Sequence, residues 1–377
     1  VYMSNQFVMI GKLSIAPDRK NRKAFSDKLL DSGCNIRQLN LNMKCDKDNF
    51  NLQIKSFMNN VERTSDGILN VNDSTIYTIL DNDGEYESTN FKYKDKDKYE
   101  DRIANFRKLV FVDENEERVE CSNEFDYSMA VHSILKSDAY KDKKFKVQGN
   151  IEYSSYTNPK THEEKIYTNY NVQRIYVIND EAEEKALANV EFYITKYCLD
   201  DSRLEEENLL VINGYIPEYN SKKKADIGFY QSFEYPLGEN SEKAKKMAKL
   251  IDKMLLDNFD DNELCKMGYR VRLINRREEV PFNEDMLSDE EKELVKYGLM
   301  DIEDLKQQYG AGMGGMQRRM EISSIGRGYS KGAIPVPLTL NQLLSKGNEP
   351  KPELLDEDGD LDILSDGDDD EDELFDF

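Results

Sequence analysis

The chain has 377 residues, 38% of them apolar and 10% aromatic, with 75 Asp/Glu against 52 Lys/Arg and a net charge of −23. No run of 18 apolar residues exists, which leaves no readable membrane-spanning helix. Five scattered cysteines (Cys34, Cys45, Cys121, Cys198 and Cys265) describe no disulfide framework. The opening residues lack the basic flank, apolar core and cleavage site of a secretory signal, so a soluble intracellular protein is expected.

In chain order, "NQFVMIGKLSI" predicts a strand, with Phe7, Met9 and Gly11 alternating against Val8, Ile10 and Lys12. "GCNIRQLNLNMKCDKDNFNLQIKSFM" predicts a hairpin. Ile36, Leu39, Leu41 and Met43 lead in, "CDKDN" turns, and Phe50, Leu52 and Ile54 lead out. A polar insertion of about sixty residues follows, holding the strand-like "KLVFV". "NEFDYSMAVHSILKSDAY" predicts a helix with Phe125, Met129, His132 and Leu135 on one face. "KFKVQGNIEYSSY" and "KIYTNYNVQRIYVI" predict two further strands.

The order then repeats without a clear sequence repeat. "ALANVEFYITKYC", "NLLVINGYIPEY" and "DIGFYQSFEYPL" predict strands. "NSEKAKKMAKLIDKMLLDNF" predicts a helix carrying Ala244, Met247, Ile251, Met254 and Leu255. "CKMGYRVRLINRREEVPF" predicts a closing strand pair. Three strands, a helix and two strands is the element order of the OB-fold.

The expected architecture is therefore mainly β with some α: two OB-fold barrels, a C-terminal helical extension and a disordered acidic tail. Residues 1–182 form the first barrel, with an insertion over about 58–120, and 183–283 form the second. Residues 284–310 make a helical extension, in which Ser288 and Glu291 write a capping box and Asp301 starts a second helix. Residues 311–351 read as a Gly-rich basic linker with one short helical turn in "LTLNQLLSKG". The block 352–377 holds fourteen Asp/Glu and no Lys/Arg, leaving a net −9 on residues 1–351. Such like-charge blocks stay disordered and act as interaction tails.

Catalytic and metal patterns are weak. Of the two histidines, His132 falls on an apolar helical face and His162 stands alone, and no CxxC or HxxxH spacing exists. Gly11-Lys12 lacks the upstream glycine of a phosphate loop. Asp362, Asp366, Gly367 and Glu373 match four positions of a calcium loop, but Leu364 occupies the third, a chance match in so acidic a run. No cofactor, metal, membrane or enzymatic role is expected.

Nucleic-acid binding has a distributed signal. Single strands are held by cationic grooves interleaved with aromatic platforms. "FKYKDKDKYEDRIANFRK", "KDKKFKVQGNIEYSSY" and "GYRVRLINRR" interleave the two kinds of residue. In the second stretch Lys146, Gln148, Asn150 and Glu152 share one face against Phe145, Val147, Gly149, Ile151 and Tyr153, a phase that sends Tyr153 to the core. Candidate phosphate contacts are Arg37, Lys44, Lys55, Lys94, Lys144, Lys146, Arg270 and Arg272. Candidate stacking rings are Tyr93, Phe106, Tyr156 and Tyr170.

The last residues, "DDDEDELFDF", place Leu374, Phe375, Asp376 and Phe377 as an apolar anchor beside charge, suited to a pocket with a basic rim on a partner. A flexible polyanion on the same chain can also occupy a cationic groove at high effective concentration. This arrangement resembles bacterial single-stranded DNA-binding proteins, although that family usually has Pro where Asp376 stands. "NQFVMIGKLS", "GCNIRQLNLNMKC", "FKVQGNIEY", "YNVQRIYV" and "LVINGYIPEY" are similar to the single-stranded DNA-binding proteins of tailed phages of Gram-positive hosts.

The resemblance implies a non-enzymatic protein that coats single-stranded DNA in phage replication or recombination, in the cytoplasm of the infected host. It further implies that phage or host replication proteins are recruited through the tail. Two rivals stay open: an adaptor or DNA mimic that binds a replication enzyme, and a Mg²⁺-dependent nuclease.

Overall fold

The alternation read from the sequence becomes barrel wall. A computed structural model describes residues 5–348 apart from 20–21, 68, 81–84, 105–107, 158–163, 221–224, 257–263, 278–286, 302–304, 306–315, 326–333 and 337–338. The first unit contains β1 (Gln6–Ile15), β2 (Phe25–Leu29), β3 (Asn35–Cys45) and β4 (Asp48–Met58), and later α1 (Glu124–Leu135), β11 (Lys144–Thr157) and β12 (Glu164–Ile178). Between them lies an insertion of six short strands: β5 (Val61–Arg63), β6 (Leu69–Val71), β7 (Ser74–Leu80), β8 (Tyr86–Lys92), β9 (Leu109–Val112) and β10 (Arg118–Cys121).

β1 pairs with β3 and β11, β3 with β4, and β11 with β12. β12 closes the circuit in parallel on β4 through Tyr170↔Leu52 and Asn171↔Gln53. With α1 between the third and fourth barrel strands, this is the five-stranded OB-fold. Phe7, Met9, Leu41, Met43, Phe50, Leu52, Phe145, Val147 and Ile175 fill it. At Gly11 a Cβ would stand 2.0 Å from the Lys44 carbonyl oxygen, so the close approach of β1 to β3 needs glycine there.

Helix α1 is entered through Asn123, whose side chain accepts from the Asp126 N–H. It buries Phe125, Tyr127, Ser128 and Val131, while Met129 is exposed. This corrects the face predicted from Phe125, Met129, His132 and Leu135. The aromatic Tyr127 wins the inward position because its hydroxyl donates to the Val110 carbonyl (2.8 Å). His132 stacks on Phe25, with centroids 4.5 Å apart, and burial lowers its pKa.

The second unit contains β13 (Lys185–Ile194), β14 (Leu199–Asp200), α2 (Leu204–Glu207), β15 (Leu209–Asn220), β16 (Ala225–Pro236), α3 (Ser241–Leu256) and β17 (Leu264–Arg277). Then come α4 (Asp289–Lys296), β18 (Met316–Ile325), β19 (Ile334–Val336) and α5 (Leu340–Asn348). β13 pairs with β15 and β17, β15 with β16, and β17 with β18. β16 closes in parallel on β18 through Phe233↔Met320. This second five-stranded circuit is again an OB-fold. α3 buries Ala244 with Met247 and Ile251 beside it; the side chains of Met254 and Leu255 lie outside the described residues.

Two boundaries differ from expectation. "CKMGYRVRLINRR" is one strand, β17, and its closing partner β18 lies within 311–351, the stretch predicted to be a linker. Backbone hydrogen bonding to two neighbours makes Met316–Ile325 barrel wall. The predicted capping box is present: Ser288 caps Glu291, and the Glu291 carboxylate returns to the Ser288 N–H.

The barrels are joined strand to strand. β1 runs antiparallel to β13 from Gln6↔Asn189 to Ile10↔Lys185. A second clamp lies at the β3–β4 turn. There the Asn275 N–H donates to Asp48 Oδ1 (3.0 Å) and the Asn275 amide donates to the Asn49 carbonyl (2.6 Å).

Candidate nucleic-acid interface

β3 and β4 turn apolar side chains inward, so their other side chains form an outer face. Register sets these in rows. Lys12, Lys44 and Asn49 make the first row, and Ser14, Asn42 and Asn51 the second. Asn40, Gln53 and Asn171 make the third, and Ser26, Gln38 and Lys55 the fourth. Lys28, Ile36 and Phe57 make the last. These five rows contain lysines, amides, hydroxyls and two apolar side chains, and no carboxylate, on a chain with 75 acids.

The middle rows are hydrogen-bonded to one another. Gln53 Nε2 donates to Asn171 Oδ1 (2.9 Å), and Gln38 Nε2 donates to Gln53 Oε1 (3.1 Å) and Asn40 Oδ1 (2.9 Å). Arg22 joins through Asn40 Oδ1 (3.0 Å). The ladder fixes the side-chain amides. At its end Phe57 is 57% exposed, and Lys55 Nζ stands 4.9 Å from its ring centroid. Burial lowers the Lys55 pKa, and the charge of Glu152 acts the other way. An exposed ring beside a cation is what a stacked base with its phosphate requires.

The expected contacts divide. Lys44 and Lys55 lie on this face. Arg37 does not: it is buried and bound on three sides. Its guanidinium donates twice to Asp27 Oδ2 (2.8 and 3.2 Å) and once to the Phe125 carbonyl (3.0 Å), and it lies 3.4 Å from the Phe125 ring centroid. This geometry removes Arg37 from the phosphate contacts. Tyr93 is also occupied, because its hydroxyl donates to Asp126 and its ring meets Phe125 edge-on. Burial and Asp126 push its pKa up to about 12. Tyr170 is half-buried and meets Phe7 and Phe50 edge-on at 5.5 and 5.8 Å, and desolvation raises its pKa, so it braces the core.

Lys146, Arg270 and Arg272 lie on the sheet that joins the barrels. Lys146 faces Tyr176 (5.8 Å), and the two arginines are exposed on β17. Lys144, in the same sheet, is tied to the Ala182 carbonyl (2.9 Å) and Glu184 (3.4 Å). Lys94 is exposed in the insertion, and Tyr156 is half-buried on the β11–β12 arm. Phe106 and the tail residues Leu374, Phe375, Asp376 and Phe377 lie outside the described residues.

Phe57 was missed, although its phase shows it. Leu52, Ile54 and Met58 point inward, so Phe57 shares the outer side with Gln53 and Lys55.

A family model described as YorF matches residues 123–285, from α1 through the end of β17. No curated protein matches. Among solved structures, the wild-type single-stranded DNA binding protein from Thermus aquaticus is similar at 10% identity. The match covers 86% of this chain and 92% of that one, with a TM-score of 0.32. A deletion mutant of the same protein gives 11%, 86%, 93% and 0.31. The strand pairing of each barrel, closed in parallel by β12 on β4 and by β18 on β16, is that of the OB-fold. Among the described residues, no helix is long and apolar enough to cross a membrane, and no cluster of His, Cys, Asp and Glu is placed to hold a metal.

One acid couples the barrels to pH. Glu218 Oε1 accepts from the Tyr153 N–H (3.2 Å), while the Tyr153 ring stacks on Phe229. Partial burial pushes the Glu218 carboxyl up to about 7, with Glu152 and Asp226 adding to the rise and the Tyr153 N–H opposing it. The folded state therefore holds a proton that the unfolded state has released. This stabilisation is complete below the ordinary glutamate range and is lost as pH rises through about 7. Melting curves from pH 5 to 8 should show the loss. Glu218→Gln should flatten it and raise the melting temperature at pH 8. An unchanged slope would mean that Glu218 does not carry it.

Proposed function

We propose that this protein binds single-stranded DNA across the outer face of the first barrel, without catalysis. The carboxylate-free rows from Lys12, Lys44 and Asn49 to Lys28, Ile36 and Phe57 carry this reading. On an OB-fold this strand 2–3 face is the usual oligonucleotide platform. The face spans the length of both strands, and its amides and lysines suit a flexible polyanion whose bases stack on Phe57. A net −9 on residues 1–351 does not oppose this, because the local field at the face governs binding.

Within the reading, the acidic segment 352–377 competes for the face and recruits partner proteins during phage replication or recombination. Titration with labelled oligothymidylate at two salt concentrations tests the whole. Saturable binding that weakens with salt is expected, tighter at low salt in a chain ending at residue 351, with the oligonucleotide left uncut in Mg²⁺. No binding below high micromolar protein would end the reading.

A further inference from the structure

The two barrels treat corresponding faces differently. On the second barrel, the outer face of β13, β15 and β16 carries Tyr193, Tyr215 and Tyr230 in one row, with Tyr219 beyond. Tyr215 and Tyr230 meet edge-on at 5.6 Å, and Tyr219 and Tyr230 are 67% and 50% exposed. The residues joining β15 to β16 read Ser221-Lys222-Lys223-Lys224. Aromatic rings and lysines are the residue types that hold single strands.

This face is partly covered by the chain itself. Helix α5 is entered through a cap in which Thr339 Oγ1 accepts from the Gln342 N–H (3.3 Å) and Gln342 Oε1 accepts from the Thr339 N–H (3.0 Å). Leu343, 1% exposed, packs with Tyr193, Leu264, Tyr215 and Leu340. Gly228 makes the room, since a Cβ there would stand 2.7 Å from Leu343 Cγ. Among the described residues, no helix packs over the rows of the first barrel.

We propose that the second barrel carries a second strand-binding face and that α5 is a displaceable cover on it. The proposal rests on the DNA-binding reading above. A nine-residue helix does not persist alone in water, so α5 is held by its docking, chiefly by Leu343. A single strand long enough to cross both barrels displaces α5 and stacks on Tyr215 and Tyr230. One that spans only the first barrel leaves it in place.

The test compares a chain ending at residue 351, which keeps α5 without the acidic block, with one ending at 338. Each is titrated with oligothymidylates of about 8 and about 30 nucleotides, lengths suited to one barrel and to two. Loss of 339–351 should tighten binding of the long strand by roughly tenfold, the scale of one stacked base. Leu343→Asp in the full chain should act in the same direction if the shorter chain fails to fold. Hydrogen exchange on the full chain gives an independent readout. The Gln342 and Leu343 amides, which donate to Thr339, should lose protection when the long strand binds and keep it with the short one.

Equal affinities for the long strand together with retained protection at saturation would overturn the cover while leaving the first face intact. Failure of both chains to bind either strand would overturn the DNA-binding reading itself, and the cover with it.

Discussion

Replacing Phe57 with alanine should weaken oligothymidylate binding by roughly tenfold to a hundredfold, the range for loss of one base–ring stack. The ring is 57% exposed at the end of the face, so its loss leaves the barrel core unchanged and stability should move by under about 0.5 kcal/mol. Lys55→Ala should cost less affinity and should also reduce the salt dependence by about one counterion, because Lys55 would meet a phosphate. The pair of variants separates stacking from charge: Phe57→Ala should lower affinity with the salt slope retained. Fluorescence titration at three salt concentrations reads both. An affinity for Phe57→Ala equal to that of the parent chain would remove the platform from this face.

Replacing Arg37 with alanine should lower stability by about 3 kcal/mol, the lower end of the range for breaking a buried ion pair from one side. The loss stays at that end because the Asp27 side chain keeps 26% of its surface exposed. Truncation leaves Asp27 and the Phe125 carbonyl short of a donor and removes the guanidinium from the Phe125 ring. Arg37→Lys should recover only part of the loss, since an ammonium cannot reproduce the fork that engages both acceptors. Urea unfolding should show a lower midpoint with an unchanged slope. Affinity for DNA in the folded protein should stay within about twofold, since an interior guanidinium has no phosphate to meet. Lost affinity with intact stability would return Arg37 to the outer face.

Both residues show what the sequence could reveal. Period two is the information: Leu39, Leu41 and Met43 are buried, and Arg37 is in phase with them. Read strictly, the alternation places Arg37 inside and Phe57 outside. Residue type misled, because an arginine suggests phosphate and a phenylalanine suggests core. The barrel strands themselves were legible from alternation and turn chemistry, as was the Ser288 cap.

β18 was not legible. It pairs with β17 after a gap from Arg277 to Met316, and "MQRRMEISSI" carries two arginines and two serines. Nothing local marks such a strand as barrel wall; only β17 and β16 on either side do. The cover on the second barrel was hidden for a similar reason. Leu343 and Gly228 are more than a hundred residues apart, and their fit is a property of the folded chain.

The pairing of β1 with β13 has a consequence for how the protein works at low abundance. Side-by-side barrels built from separate chains come apart on dilution, and their joint surface then depends on how much protein is present. Here the seam from Gln6↔Asn189 to Ile10↔Lys185 is closed within one polypeptide. The relative placement of the two barrels is therefore inherited with the fold, and a solitary molecule arrives with both already aligned.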